Sequence, residues 1–160
     1  MRIGVVSDTH NNLANVARIV ELFNTAGVER VIHTGDITQA KTLRLFGELD
    51  CPLVGVYGNN DERGPLGEAA DEMGIELHDG PLHLEWDGRR IVVVHDPRAL
   101  ADALRPEHHV ALHGHTHRRV VDRCKDSIVF NPGECAGHMA GSNAVGVLEL
   151  GTLAAELLTF

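Results

Sequence analysis

Two hydrophobic rhythms divide this chain. In the first half, short β-branched runs alternate with segments whose apolar positions return every three or four residues. Residues 2–8 (Arg-Ile-Gly-Val-Val-Ser-Asp) are apolar from Ile3 through Val6, the pattern of a strand covered on both faces. Leu13, Val16, Ile19, Val20 and Phe23 then fall on one helical face, with Asn11 or Asn12 available as a cap and Gly27 as a stop. A second buried strand is predicted over 28–33, a second amphipathic segment over 39–49, a third strand over 53–57 after Pro52, and a third helix over 65–73.

After Met73 the rhythm changes. Residues 82–86 and 90–94 flank Asp87-Gly88, a pair suited to a two-residue hairpin turn. A short helix over 98–104 and a strand over 109–113 follow. The remainder is strand-rich, over 119–123, 127–130, 143–150 and 153–159, punctuated by Asp126, by Asn131-Pro132-Gly133 and by Gly151. The expectation is one α/β domain over 1–160, with a βαβαβ first half, a largely antiparallel second half, and two sheets flanked by helices.

Polar residues collect where these strands end. The first delivers Asp8 and His10, the second Gly35-Asp36, the third Gly58-Asn59-Asn60-Asp61, the strand over 90–94 His95, and the strand over 109–113 Gly114-His115-Thr116-His117. In open α/β sheets the carboxyl ends of parallel strands are where ligands bind. Gly114 is expected to permit the sharp turn that aims His115 and His117 the same way. Asp8, His10, Asp36, Asn59, His95, His115 and His117 offer only N and O donors, a set that suits two divalent ions sharing a bridging carboxylate and lacks the thiolates of a closed zinc site.

Bulk properties narrow the function classes. The net charge of −9, with no basic cluster longer than two residues, argues against general binding to nucleic acid. No apolar run approaches the length of a membrane span, and Met1 leads directly into a strand, so a cytoplasmic protein is expected. The 3 cysteines, Cys51, Cys124 and Cys135, have no Cys-x-x-Cys spacing and are expected to be reduced thiols. A homo-oligomer is left open.

Asp8-Thr9-His10, Gly35-Asp36, Gly58-Asn59-Asn60-Asp61, His95 and Gly114-His115-Thr116-His117, with Asn131-Pro132-Gly133-Glu134, resemble the motifs of the calcineurin-like metallophosphoesterases, closest to the small phosphodiesterases of archaea and bacteria. The resemblance spans essentially the whole chain. It implies a four-layer α/β sandwich of two mixed sheets flanked by helices. It also implies a dinuclear centre in which Asp8, His10 and His117 hold one metal, Asn59, His95 and His115 the other, and Asp36 bridges them. The activity implied is hydrolysis of a small phosphodiester by a hydroxide held between two divalent ions. Manganese is the first expectation for the metal, with nickel, iron, cobalt or zinc as alternatives. A phosphomonoesterase and a non-enzymatic scaffold of the same fold are the competing readings.

The chain departs from the family pattern twice. Asn60 stands where larger members carry a histidine that serves the transition state or the leaving oxygen, and an amide cannot supply that proton. Asn60 and its neighbour Asp61 are the catalytic candidates, Asp61 being expected to anchor a metal-binding group. Asp96-Pro97 follows His95 where the family usually has Gly; Asp96 is expected either to cap the next helix or to bond a ligand imidazole. His33 is read as a packed, hydrogen-bonded group and His113 as structural. His138 is read first as a mobile surface residue, with a place at the pocket rim as a proton donor the alternative, and Arg118 or Arg119 as a contact for substrate phosphate.

Overall fold

The computed structural model describes residues 1–160. Strand β1 (Arg2–Val6) leads to α1 (Leu13–Ala26), β2 (Arg30–His33), α2 (Ala40–Leu45), β3 (Leu53–Val56) and α3 (Arg63–Met73). β4 (Glu76–His78), the hairpin of β5 (Leu82–Trp86) and β6 (Arg89–Val93), α4 (Leu100–Ala103) and β7 (Val110–Leu112) come next. β8 (Val120–Cys124), β9 (Ser127–Asn131), β10 (Ala144–Glu149) and β11 (Ala154–Thr159) complete the chain. Single 3-10 turns extend α2 and precede α4.

Local signals act where they were expected. The Asn12 side chain accepts from the Asn15 N–H at 3.1 Å, and Gly27 closes α1 in the left-handed conformation at φ 63°. Asp87 and Gly88 both take positive φ, as a tight hairpin turn demands.

Two sheets result, ordered β11-β10-β1-β2-β3-β4 and β5-β6-β7-β9-β8. β1 to β4 are parallel, and β10 joins them antiparallel beside β1. In the second sheet β6, β7 and β9 also run parallel, with antiparallel partners only at the edges. The second half is largely antiparallel as expected, in β5/β6, β8/β9, β10/β11 and β1/β10, but the centre of the second sheet is parallel: turn signals report the neighbours β5/β6 and β8/β9, whereas pairing of β7 with β9 skips a strand. β4 was not expected at all, because three residues carry too little periodicity.

The layers follow from strand alternation. Ile3 and Val5 of β1 point between the sheets, where they meet Ile91, Val93, Leu112, Ile128 and Phe130. Val6 points the other way, to Val16, Ile19, Val20 and Phe23 of α1. Val92, Val94 and Ala111 pack beneath Ala103 on the outer face of the second sheet. The architecture is therefore helix, sheet, sheet, helix, with the carboxyl ends of β1, β2, β3, β6 and β7 along one edge. No helix is long and apolar enough to cross a membrane.

Candidate metal centre

All seven metal-ligand candidates meet at that edge. His95 Nε2 lies 3.0 Å from Asn59 Oδ1, and His115 Nδ1 lies 2.9 Å from the same oxygen and 3.3 Å from His95 Nε2. Asp36 Oδ2 is 3.5 Å from His95 Nε2 and 3.8 Å from His10 Nε2. His117 Nε2 is 3.6 Å from Asp8 Oδ1. Asp8, His10 and His117 bring one ligand atom each within 4.8 Å of one another, and so do Asp8, Asp36 and His95.

Hydrogen bonds on the far sides of the rings settle which nitrogens face inward. His95 Nδ1 donates to the Thr34 carbonyl at 2.9 Å, which turns Nε2 towards Asn59 and Asp36. His117 Nδ1 donates to Glu134 Oε2 at 3.1 Å, leaving its Nε2 bare towards Asp8. His10 Nε2 is buried and has no hydrogen-bond partner. An orphaned inward-facing imidazole nitrogen costs free energy unless something completes it. Metal–nitrogen and metal–oxygen bonds of about 2.0–2.2 Å place neighbouring ligand atoms roughly 3.0–3.5 Å apart, so the observed spacings fit divalent ions.

The backbone is bent to reach this arrangement. Asp8, His10, Asp36, His115 and His117 all have positive φ, between 45° and 67°. Each such residue costs on the order of 1–3 kcal/mol, a cost typically concentrated at functional sites. Gly114 serves differently from the expectation: it is not among the positive-φ positions. A Cβ there would lie 2.0 Å from Ser7 Oγ and 2.9 Å from Asp8 Oδ2. Gly114 is needed for close approach, and the turn is made by the histidines themselves.

Charge and burial oppose each other at the two carboxylates. Burial raises the pKa of Asp8, a shift opposed by its hydrogen bond from Ser7 Oγ at 2.5 Å. Burial would also raise Asp36, but hydrogen bonds from His95 and Asn60 carry it well below the usual carboxylate range. For His95, burial is outweighed by the hydrogen bond and charge of Asp36, and the pKa rises; His10, with less compensation, is lowered by burial.

The remaining candidates surround these groups. The Asn60 backbone N–H and Nδ2 donate to the two oxygens of Asp36. Asp61 accepts from the backbone N–H groups of Gly58 and Thr38 at 2.7 and 2.6 Å, and from that of Asp36 at 3.3 Å. Both thus hold the loops that carry Asp36 and Asn59. Asp96 caps the turn before α4 by accepting from the Arg98 N–H, and its Oδ2 also lies 3.9 Å from His115 Nε2. His33 is fully buried, bonded to Thr9 Oγ1 and to the Gly35 N–H. His113 is buried against the Gly114 carbonyl and Asn131. Arg119 spends its guanidinium on the Ser142 carbonyl.

Two residues exceed what the sequence conveyed. Glu134 is 0% exposed and reaches His117; its only signal was its place after Asn-Pro-Gly. His138, read first as a mobile surface residue, stacks on His117 with ring centroids 5.4 Å apart and lies 5.3 Å from His10. Beside Asn59, His95 and His115 opens a cleft of about 550 Å³, also lined by Tyr57, Arg63, Asp96 and Arg98.

Comparison with known proteins agrees with this geometry. Residues 1–152 match the calcineurin-like phosphoesterase superfamily domain. The chain is 36% identical over 154 residues to the phosphodiesterase MJ0936 of Methanocaldococcus jannaschii, covering 93% of each. It is 25% identical over 166 residues to the phosphodiesterase YfcE of Escherichia coli K12, covering 90% of this chain and 84% of that one. A solved structure of an archaeal phosphodiesterase superposes with a TM-score of 0.91 at 32% identity, over 100% of both chains.

Proposed function

Because the chain belongs to the calcineurin-like phosphoesterase superfamily and is a phosphoric ester hydrolase, we propose that it cleaves phosphodiesters at a pair of divalent ions held by Asp8, His10, Asp36, Asn59, His95, His115 and His117. The observation that carries this reading is the convergence of these donor atoms from five strand ends, with His10 Nε2 buried and unpartnered. When bound, the ions supply positive charge for the phosphate and a water acidified to hydroxide near neutral pH.

The protein's own residues do the rest. Asp8, His10 and His117 form one half of the site, and Asn59, His95 and His115 the other. Asp36, central to both, is locked by Asn60 so that its oxygens stay between them. The two carboxylates offset only part of the charge of two dications, so the loaded site retains a positive balance that attracts an anionic diester. The adjoining cleft accommodates the ester substituent. Manganese is the first choice of metal, with nickel, iron, cobalt and zinc as alternatives, since mixed imidazole and carboxylate donors accept all of them and availability decides.

Elemental analysis of the purified protein, combined with matched aryl phosphodiester and phosphomonoester assays, tests the proposal. Two equivalents of metal with diester cleavage predominating supports it. Faster monoester cleavage makes the protein a phosphomonoesterase, and absence of metal uptake favours a scaffold with the same fold.

A further inference from the structure

Glu134 is a fully buried carboxylate that no lysine or arginine neutralises. Its two oxygens serve two elements. Oε1 accepts from the Met139 backbone N–H at 2.8 Å, and Oε2 lies 3.1 Å from His117 Nδ1 and 3.6 Å from His138 Nδ1. The Glu134 carbonyl also receives the Ala144 N–H, so the loop over 135–143 starts and ends on this residue. Its ring, His138, lies nearly parallel to His117, with 8° between the planes.

We infer that Glu134 is a positioning residue for the first metal position: it fixes His117 with Nδ1 protonated and Nε2 free for the ion, and it fastens the 135–143 loop to that same position. The inference rests on the two-metal reading above. An ion drawing electron density from Nε2 makes the Nδ1 proton more acidic, which strengthens the bond to Glu134. A carboxylate held by a stronger bond is a better anchor for the loop it also carries. Occupancy of this position and order of the loop are therefore linked. Asn59, His95 and His115 make no hydrogen bond or ion pair with Glu134, so the second position is reached only indirectly, through Asp36.

Glu134→Gln separates this role from packing. The amide keeps the shape but has one acceptor oxygen for two N–H donors, so either His117 or Met139 faces an N–H group instead. The native chain and the variant, stripped of metal, are titrated with Mn²⁺ by calorimetry, with hydrogen exchange of 135–143 followed in parallel. We expect two equivalents in the native chain, one of them weakened about 10- to 100-fold in the variant, the usual effect of losing such an outer partner. Exchange of the loop should slow on adding Mn²⁺ to the native chain and stay fast in the variant. Glu134→Asp should recover part of the lost affinity.

No uptake by the native chain overturns the metal reading and this inference with it. Two equivalents in the native chain, with both affinities unchanged or both equally reduced in the variant, overturn this inference alone. If the Gln variant does not fold, the native chain decides the matter by itself. In [¹⁵N]histidine-labelled protein loaded with Zn²⁺, His117 must carry its proton on Nδ1, slowly exchanging and downfield; a proton on Nε2 overturns the inference.

Discussion

Asn60 grips Asp36 from two directions: its backbone N–H donates to Oδ1 at 2.9 Å and its side-chain Nδ2 donates to Oδ2 at 2.8 Å. The carboxylate proposed to join the two ions is thereby oriented by a neighbour that binds no ion itself. Asn60→Ala keeps the backbone bond and removes the other. Because Asn60 is exposed, the melting temperature should hardly move, while Mn²⁺ affinity and kcat/KM fall by about 10- to 100-fold. Calorimetric titration and steady-state rates check both. A variant as active as the native enzyme would show that Asp36 needs no such clamp.

Gly114→Ala should behave in the opposite way, as a folding lesion. The added Cβ would meet Ser7 Oγ at 2.0 Å and Asp8 Oδ2 at 2.9 Å, inside a region where neither partner is exposed. Overpacking of this kind costs typically 1–3 kcal/mol, and relief requires Asp8 to leave its place. Chemical denaturation should show the loss of stability, and metal binding should fail with it.

Much of this was legible in the sequence because it is local. Strand ends announce themselves where apolar runs stop, so Asp8, Asp36, Asn59, His95 and His115 could be read off one by one. Caps and turns at Asn12, Gly27 and Asp87-Gly88 need only neighbouring residues. The parallel pairing of β7 with β9 and the placing of β10 beside β1 are non-local, and no short window encodes them. The positive φ of His115 and His117 was equally hidden, because these residues normally avoid that region and take it only where surrounding contacts enforce it. Glu134 and His138 escaped for the same reason: their meaning lies in contact with His117, reached across a loop.

His33 makes the metal-free protein sensitive to acid. Burial lowers its pKa to about 3, and its geometry shows why: Nδ1 accepts from the Gly35 N–H, so a second proton has no place. The folded pKa lies below the unfolded value of 6.5, so the unfolded state takes up the proton first. This contribution is present in full above pH 6.5 and is lost as pH falls from there towards 3, at up to about 1.4 kcal/mol per pH unit. His33→Gln should flatten that part of the stability curve, measured by urea denaturation between pH 4 and 7 in the presence of chelator.

Metal removal should act on stability as well as on rate. With His10 Nε2 orphaned and two carboxylates close together, the empty site works against the fold. An ion present at about a hundred times its dissociation constant stabilises by about 2.7 kcal/mol. For a chain of this size that corresponds to a rise in melting temperature of roughly 5–11 °C. Thermal denaturation with chelator and then with excess Mn²⁺ should recover this difference, and diester hydrolysis should vanish and return with it. Equal melting temperatures would place any bound ion elsewhere.

The leaving oxygen is where this site is least equipped. Asn60 gives both of its Asp36-directed donors away, and an amide would not protonate an alkoxide in any case. His95 Nδ1 is spent on the Thr34 carbonyl and His117 Nδ1 on Glu134. A missing general acid typically costs 10²–10⁴-fold, and only when the departing group needs the proton. Aryl diesters, whose phenolate leaves unaided, should therefore be cleaved at least about 100-fold faster than simple dialkyl phosphates of similar size. Logarithmic rates plotted against leaving-group pKa should slope steeply downward. A flat plot would mean that a proton reaches the leaving oxygen after all; on the steep plot expected, Asn60→His, which also gives up the Nδ2 bond to Asp36, should lower the rate for aryl diesters while narrowing the gap to the poorest leaving groups.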